Sequence, residues 1–167
     1  MTHLELLAPA KNLECGKAAI DHGADAVYIG AKRFGARASA GNSTEDIDQL
    51  CRYAHQFGDK VFVTVNTIIY EEELEDTVDL VKELDSISVD AILVQDMGLF
   101  SRLKAMPLQC HLHASTQTDN RSKEKVEWLA SLGFQRIVLA RELSIDEISD
   151  IHKAFPDTEL EVLVHGA

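Results

Sequence analysis

Positive charge is scarce in this chain. Its 167 residues carry 16 Lys and Arg against 28 Asp and Glu, a formal net charge of -12. The broad basic surface that normally dominates nucleic-acid affinity is therefore missing, and an RNA partner would need its cationic contacts from elsewhere. Long apolar runs are missing too: none approaches the roughly 20 residues of a membrane span. The first residues, MTHLELLAPAKN, put Glu5 inside a short apolar run with no basic segment before it, so no secretory signal is expected there. Cysteines are few. Cys15, Cys51 and Cys110 lie 36 and 59 residues apart, neither a disulfide framework nor the close spacing of a zinc or iron-sulfur site. A cytoplasmic protein with ordinary thiols, no membrane partner and no metal site in this chain is expected.

What is present is a core. Apolar residues make up 46% of the chain, ample for one globular body, and short apolar runs alternate with longer amphipathic ones from end to end. Strands are read at 4 to 8 (LELLA), 25 to 29 (DAVYI), 61 to 65 (VFVTV), 91 to 94 (AILV), 109 to 113 (QCHLH), 136 to 140 (RIVLA) and 160 to 164 (LEVLV). The segments between them carry helix punctuation. The first helix, about 11 to 22, stops at Gly23, a left-handed cap. The second opens on Asn42-Ser43-Thr44-Glu45 and ends near Gly58, with early acids suited to the positive helix end. The third, about 71 to 86, starts on EEELE and repeats Leu74, Val78, Val81 and Leu84 at helical spacing. The fifth, about 120 to 131, ends at Gly133, and the sixth starts at Ser144 with Glu147 three residues on, a capping box.

Strands that are apolar on both faces and joined by helical crossovers specify a parallel sheet covered on both sides. The fold class is α/β. No glycine-rich phosphate loop follows the first strand, so a dinucleotide-binding reading is weak. A (β/α)8 TIM-barrel-like architecture fits better, incomplete here at about seven strands and six helices, with residues 1 to 167 as the amino-terminal part of a barrel catalytic domain.

In such barrels chemistry sits where the strands exit, because the βα loops converge there. The strand exits here hold Pro9; Gly30 with Arg33 and Arg37; Asn66 and Thr67; Gln95 and Asp96; His113, Ser115, Thr116 and Gln117; Arg141 and Glu142; and His165. Amide, imidazole and guanidinium donors at successive strand ends point to a shared polar cavity. Arg37 and Arg141 could hold an anion with paired donors. Asp96 and Glu142 could equally pair with those arginines as a structural network.

The stretch His111 to Gln117, HLHASTQ, is the densest of these. His111 and His113 share a strand face, and an HxH pair at a barrel strand end can begin a metal site, but no set of partners accompanies it. A Ser115-His113 nucleophile lacks a G-x-S-x-G elbow. Cys110 alternates within an apolar strand and reads as core. His113, Ser115 and Gln117 read instead as substrate-facing donors, and His111 as structural or surface.

Seven collinear segments, ELLAPA (5 to 10), GADAVYIGAKRFGARA (23 to 38), VFVTVNT (61 to 67), VDAILVQDMG (89 to 98), LHASTQ (112 to 117), VLARELSIDEI (138 to 148) and VLVHGA (162 to 167), together resemble the collagenase-like peptidase family, the U32 group. The wording FGARASAGNS, VNTIIYEEELE, VQDMG and HASTQ is most similar to the branch that hydroxylates a cytidine of large-subunit ribosomal RNA. Sister branches act on the wobble uridine of transfer RNA or on a ubiquinone precursor.

The resemblance implies a barrel catalytic domain, RNA as partner of the full-length protein, a prephenate-linked hydroxyl donor, and a 4Fe-4S cluster on four cysteines. Those cysteines are expected beyond residue 167, the first directly after VHGA, so no cofactor is expected in this chain, and the segment alone is expected to be inactive. His113, Glu142 and His165 are the candidate catalytic residues. Arg37, Asn66, Gln95, Ser115, Gln117 and Arg141 are the candidate substrate contacts. The alternatives are a peptidase with Ser115 or His113 in its site, a transfer-RNA uridine hydroxylase, and a non-catalytic scaffold half. An unclosed barrel with exposed strand edges is expected to self-associate in isolation.

Overall fold

The computed structural model describes residues 4–31 and 41–165. Arg33 and Arg37 lie outside the described residues. In chain order the elements are β1 (Leu7–Ala10), α1 (Leu13–Asp21), β2 (Ala26–Gly30), α2 (Thr44–Ala54), β3 (Lys60–Val65), α3 (Leu74–Ser86), β4 (Ala91–Val94), α4 (Met97–Lys104), β5 (His111–Ala114), α5 (Lys123–Leu132), β6 (Arg136–Val138), α6 (Ile145–Ala154) and β7 (Glu159–Glu161). The seven strands form one sheet in sequence order, and every neighbouring pair is parallel.

Curling of the sheet follows from one contact. In a flat sheet a residue before β1 and one in β6 would be about 24 Å apart, five strand spacings. Glu5 nevertheless accepts a hydrogen bond from Arg136 Nη1 at 2.6 Å. The sheet is therefore rolled into an incomplete barrel with a seam between β1 and β7.

Strand alternation divides the side chains between two faces. The outer set, including Val27, Ile29, Val61, Val63, Ile92, Val94, Leu112, Ala114 and Ile137, packs with Ile47, Leu50, Val81, Leu84, Leu99 and Leu129 of the helices as the main core. The inner set is smaller: Ala26, Phe62, Ala91, Leu93 and Val138, with Leu7 and Tyr28 against them. Helices α1 and α2 pack closely because Gly16 has no side chain. A Cβ there would stand 2.7 Å from both methyl groups of Leu50.

Beneath the inner apolar set lies an ion cluster. Arg136 is 9% exposed, bonds Glu5 and Glu159, stacks its guanidinium 5.1 Å over Phe62, and has Glu161 3.7 Å away. Lys60 adds a second cation to Glu5 at 2.7 Å. Burial raises the Glu5 carboxyl, yet the bonds and charges of Arg136 and Lys60 outweigh it and hold the group below the usual range. Glu161 goes the other way: burial, only partly opposed by Arg136, pushes it up to about 7.

All seven predicted strands exist, and several bounds move for identifiable reasons. The first begins at Leu7 rather than residue 4, because the Leu6 N–H is taken by the Asp25 carboxylate. The fifth begins at His111 rather than 109, since the N–H groups of Gln109 and Cys110 both donate to Asp85 Oδ1. The sixth ends at Val138 rather than 140; the Ala140 N–H leaves the ladder for the carbonyl of Asn120. The seventh ends at Glu161 rather than 164. The third helix is a 3-10 turn (Glu71–Glu73) running into α3, and α5 starts at Lys123 rather than 120 because Ser122 is its cap. The caps at Ser43 and Ser144, the latter a full capping box, and the left-handed Gly23 and Gly133 are as read.

Candidate functional site

Three predicted contacts continue the inward-facing alternation of their strands past the last paired residue. Asn66 follows β3, Gln95 follows β4 and Ser115 follows β5. Asn66 Nδ2 donates to Ser115 Oγ at 3.1 Å, so the ends of β3 and β5 are tied across the intervening strand. Gln95 is half-buried at the exit of β4 between them.

Beyond Ser115 the chain folds into a 3-10 turn, Thr116–Thr118, whose N-terminus is capped by the Ser115 hydroxyl accepting from the Gln117 N–H at 3.3 Å. Asp119 then takes the left-handed conformation at φ 61°. That turn inserts Asn120, fully buried, whose amide donates to the carbonyls of Ser115 (3.0 Å) and Val138 (2.8 Å) and accepts from the Thr118 hydroxyl. Thr116 Oγ1 donates to the Leu139 carbonyl. The exits of β5 and β6 are thus clamped together.

This clamp floors a shallow depression of about 360 Å³ whose lining includes Thr116, Gln117, Arg121, Arg141 and Glu142. Arg141 also lines a neighbouring hollow with Leu163, Val164 and His165. Gln117, Arg141, Glu142 and His165 are all exposed. The structure therefore gathers Gln117, Arg141 and Glu142 in one place, with His165 beside Arg141, and Asn66 joined to Ser115 as a second group. A rim that sets the donors of Gln117, Arg121 and Arg141 beside the carboxylates of Asp119 and Glu142 can bind a polar ligand.

Two residues occupy different positions from the rest. His113 sits one step below the strand ends in the barrel interior, 2% exposed, edge-on to Phe62 with centroids 5.0 Å apart. Burial, reinforced by the charge of Arg136, lowers its pKa to about 3, so the ring is neutral at physiological pH; its Nδ1 has no hydrogen-bond partner among the described residues. Asp96, read as a strand-end ligand group or an arginine partner, instead caps α4, accepting from the Leu99 N–H at 2.8 Å. His111 is exposed, its ring 6.4 Å from that of His113.

Ser115 and His113 are not arranged as nucleophile and base: the hydroxyl is held by Asn66 and the imidazole lies against Phe62. Among the described residues no three His, Cys, Asp or Glu side chains gather as metal ligands. The cysteines are scattered. Cys15 is exposed on α1, while Cys51 and Cys110 are buried. Burial, then nearby Asp90 and Asp48 for Cys51 and Asp85 for Cys110, pushes both thiols up to about 12, which disfavours the thiolate that metals require. These three do not fit an iron-sulfur cluster.

Sequence reasoning missed Asn120 and the interior cluster of Glu5, Arg136, Glu159 and Glu161. The second had a signal: LELLA, RIVLA and LEVLV each carry a charge inside an apolar strand, and a charge at an inward position needs a partner inside the barrel.

The fold and rim together define a parallel (β/α)-barrel domain with a polar strand-end site. The chain belongs to peptidase family U32, whose model matches residues 11–167. It is 50% identical over 164 residues to the 23S rRNA 5-hydroxycytidine synthase of Escherichia coli, covering 98% of this chain and 24% of that protein. It is 37% identical to the tRNA hydroxylation protein P1 of Bacillus subtilis, covering 98% of this chain and 39% of the relative. The chain therefore spans well under half the length of these relatives. A solved U32 peptidase structure superposes with a TM-score of 0.76 at 17% identity, over 97% of this chain and 69% of that one; it supports the barrel fold. No helix among the described residues is long and apolar enough to cross a membrane.

Proposed function

We propose that this chain is the amino-terminal barrel part of a U32 enzyme that hydroxylates an RNA nucleobase, with a cytidine of 23S ribosomal RNA as substrate. The observation that carries the reading is the 50% identity, across 98% of the chain, to a protein named for forming 5-hydroxycytidine in that RNA. In this reading the rim of Asn66, Gln95, Ser115, Gln117 and Arg141 binds the base and its sugar by hydrogen bonds. Glu142 and His165 are exposed titratable groups at its edge. His113 supports the floor from below as a neutral ring. Arg141 would suit the carboxylates of a prephenate-linked hydroxyl donor.

The 4Fe-4S cluster belongs to the same proposal. Its ligands would be cysteines outside this chain, since the three present do not fit it. When bound, such a cluster supplies electron transfer; the residues described here bind and orient substrate.

Nucleoside analysis of ribosomal RNA from a deletion strain tests the reading. Loss of 5-hydroxycytidine, restored by the full-length gene, is expected. Unchanged 5-hydroxycytidine with loss of a hydroxylated transfer-RNA uridine would move the substrate to the sister branch. A peptidase reading gains nothing from the held Ser115 hydroxyl.

A further inference from the structure

The segment leaving β3 holds apolar groups that the barrel does not use. Ile68 and Tyr70 are 66% and 65% exposed, while Ile69 between them packs against the helix-facing core. The side chains therefore alternate out, in, out. The backbone beneath Tyr70 is fixed by a reciprocal pair: its N–H donates to Glu73 Oε2 at 3.1 Å, and its carbonyl accepts from the Glu73 N–H at 2.9 Å. An aromatic ring thus projects from an anchored turn, four residues past the Asn66 that joins Ser115 at the strand-end site.

Charge decides what such a ring can hold. The chain carries -12 overall, and Tyr70 is followed by exposed Glu71 and Glu72. Phosphates are repelled there, so binding that relies on backbone charge is disfavoured at this spot. A nucleobase has no charge and has a π-face, and stacking on an aromatic side chain does not depend on neutralising phosphates.

We propose that Tyr70, with Ile68 beside it, is a stacking platform for an unpaired base of the RNA at the rim of the strand-end site. This rests on the RNA reading above. The occupant is a base of single-stranded RNA, with the phosphates turned away from the Glu71–Glu73 turn.

The test uses the full-length protein and two fluorescein-labelled strands of equal length, a short oligocytidylate and its abasic ribose-phosphate counterpart, with Kd from anisotropy. Tyr70→Ala is expected to weaken oligocytidylate binding by about tenfold to a hundredfold and to leave the abasic strand unchanged, whereas Tyr70→Phe stays near wild type. Equal oligocytidylate binding by Tyr70→Ala and wild type overturns the platform alone. An equal loss on both strands also overturns it, because the defect then lies in the fold or in backbone contact. Wild-type protein that binds neither strand and forms no 5-hydroxycytidine overturns the RNA reading together with the platform.

Discussion

Asn120 shows how a single buried amide organises a site without touching a ligand. It ties the carbonyls of Ser115 and Val138 and accepts from Thr118, all with no solvent exposure. Asn120→Ala removes both donors of the clamp: the Ser115 carbonyl and the Thr118 hydroxyl keep each other, but the Val138 carbonyl loses its side-chain donor, and a buried group left unsatisfied costs about 1–3 kcal/mol. A loss of about 1–3 kcal/mol in urea unfolding is expected, with weakened ligand binding at the Gln117–Arg141 rim. Retention of wild-type stability would show that the clamp does not hold the exits together.

Glu161 gives the residue scale a pH dependence. Its carboxyl is raised to about 7 by burial, above the ordinary value of 4.5 that the unfolded chain shows. The folded state therefore binds the extra proton, and the stabilisation is complete below the unfolded value and lost as pH rises through about 7. Glu161→Gln mimics the protonated form. Its melting temperature relative to wild type is expected to rise between pH 5 and pH 8, and a pH-independent difference would refute the assignment.

At the scale of elements, the α1–α2 contact depends on a missing side chain. Gly16→Ala places a Cβ 2.7 Å from the Leu50 methyls, closer than packed atoms approach, so the helices must separate or Leu50 must leave its rotamer. A destabilisation of about 1–3 kcal/mol is expected, and the pair Gly16→Ala with Leu50→Ala should recover part of it relative to the sum of the single changes.

The same scale shows what the sequence carried. Alternation and capping residues are local, and they were legible: seven strands, the Ser43 and Ser144 caps and the Gly133 stop all stand where the chain reads them. Strand bounds were less so, because they depend on side chains distant in sequence, Asp25 for β1 and Asp85 for β5. The strand-exit rule found Gln117, Arg141 and Glu142 together at the rim. It placed Asp96 with them although that carboxylate is spent on a helix N-terminus. His113 needed depth along the strand, which a pattern of alternation does not supply.

At the scale of the whole molecule, the seam is the conspicuous feature. Leu4 and Leu6 before β1 are 88% and 55% exposed, and Val164 beyond β7 is 86% exposed. Strand edges flanked by apolar groups recruit other chains. The isolated 167-residue chain is expected to self-associate in sedimentation velocity, and Leu6→Lys with Val164→Lys is expected to shift it toward monomer. A wild-type chain that sediments as a monomer at every concentration would argue that the edges are already satisfied.

The strict match between strand order and chain order has a consequence for biosynthesis. Each strand from β2 onward pairs with the one made just before it, so a chain emerging from the ribosome can add one βα unit at a time to a growing sheet without waiting for later sequence. The Glu5–Arg136 bond, spanning 131 residues, must wait until the sixth strand has been translated. Until then the Glu5 carboxylate just ahead of β1 has Lys60 as its cation, so it is already paired while the later strands are still being made.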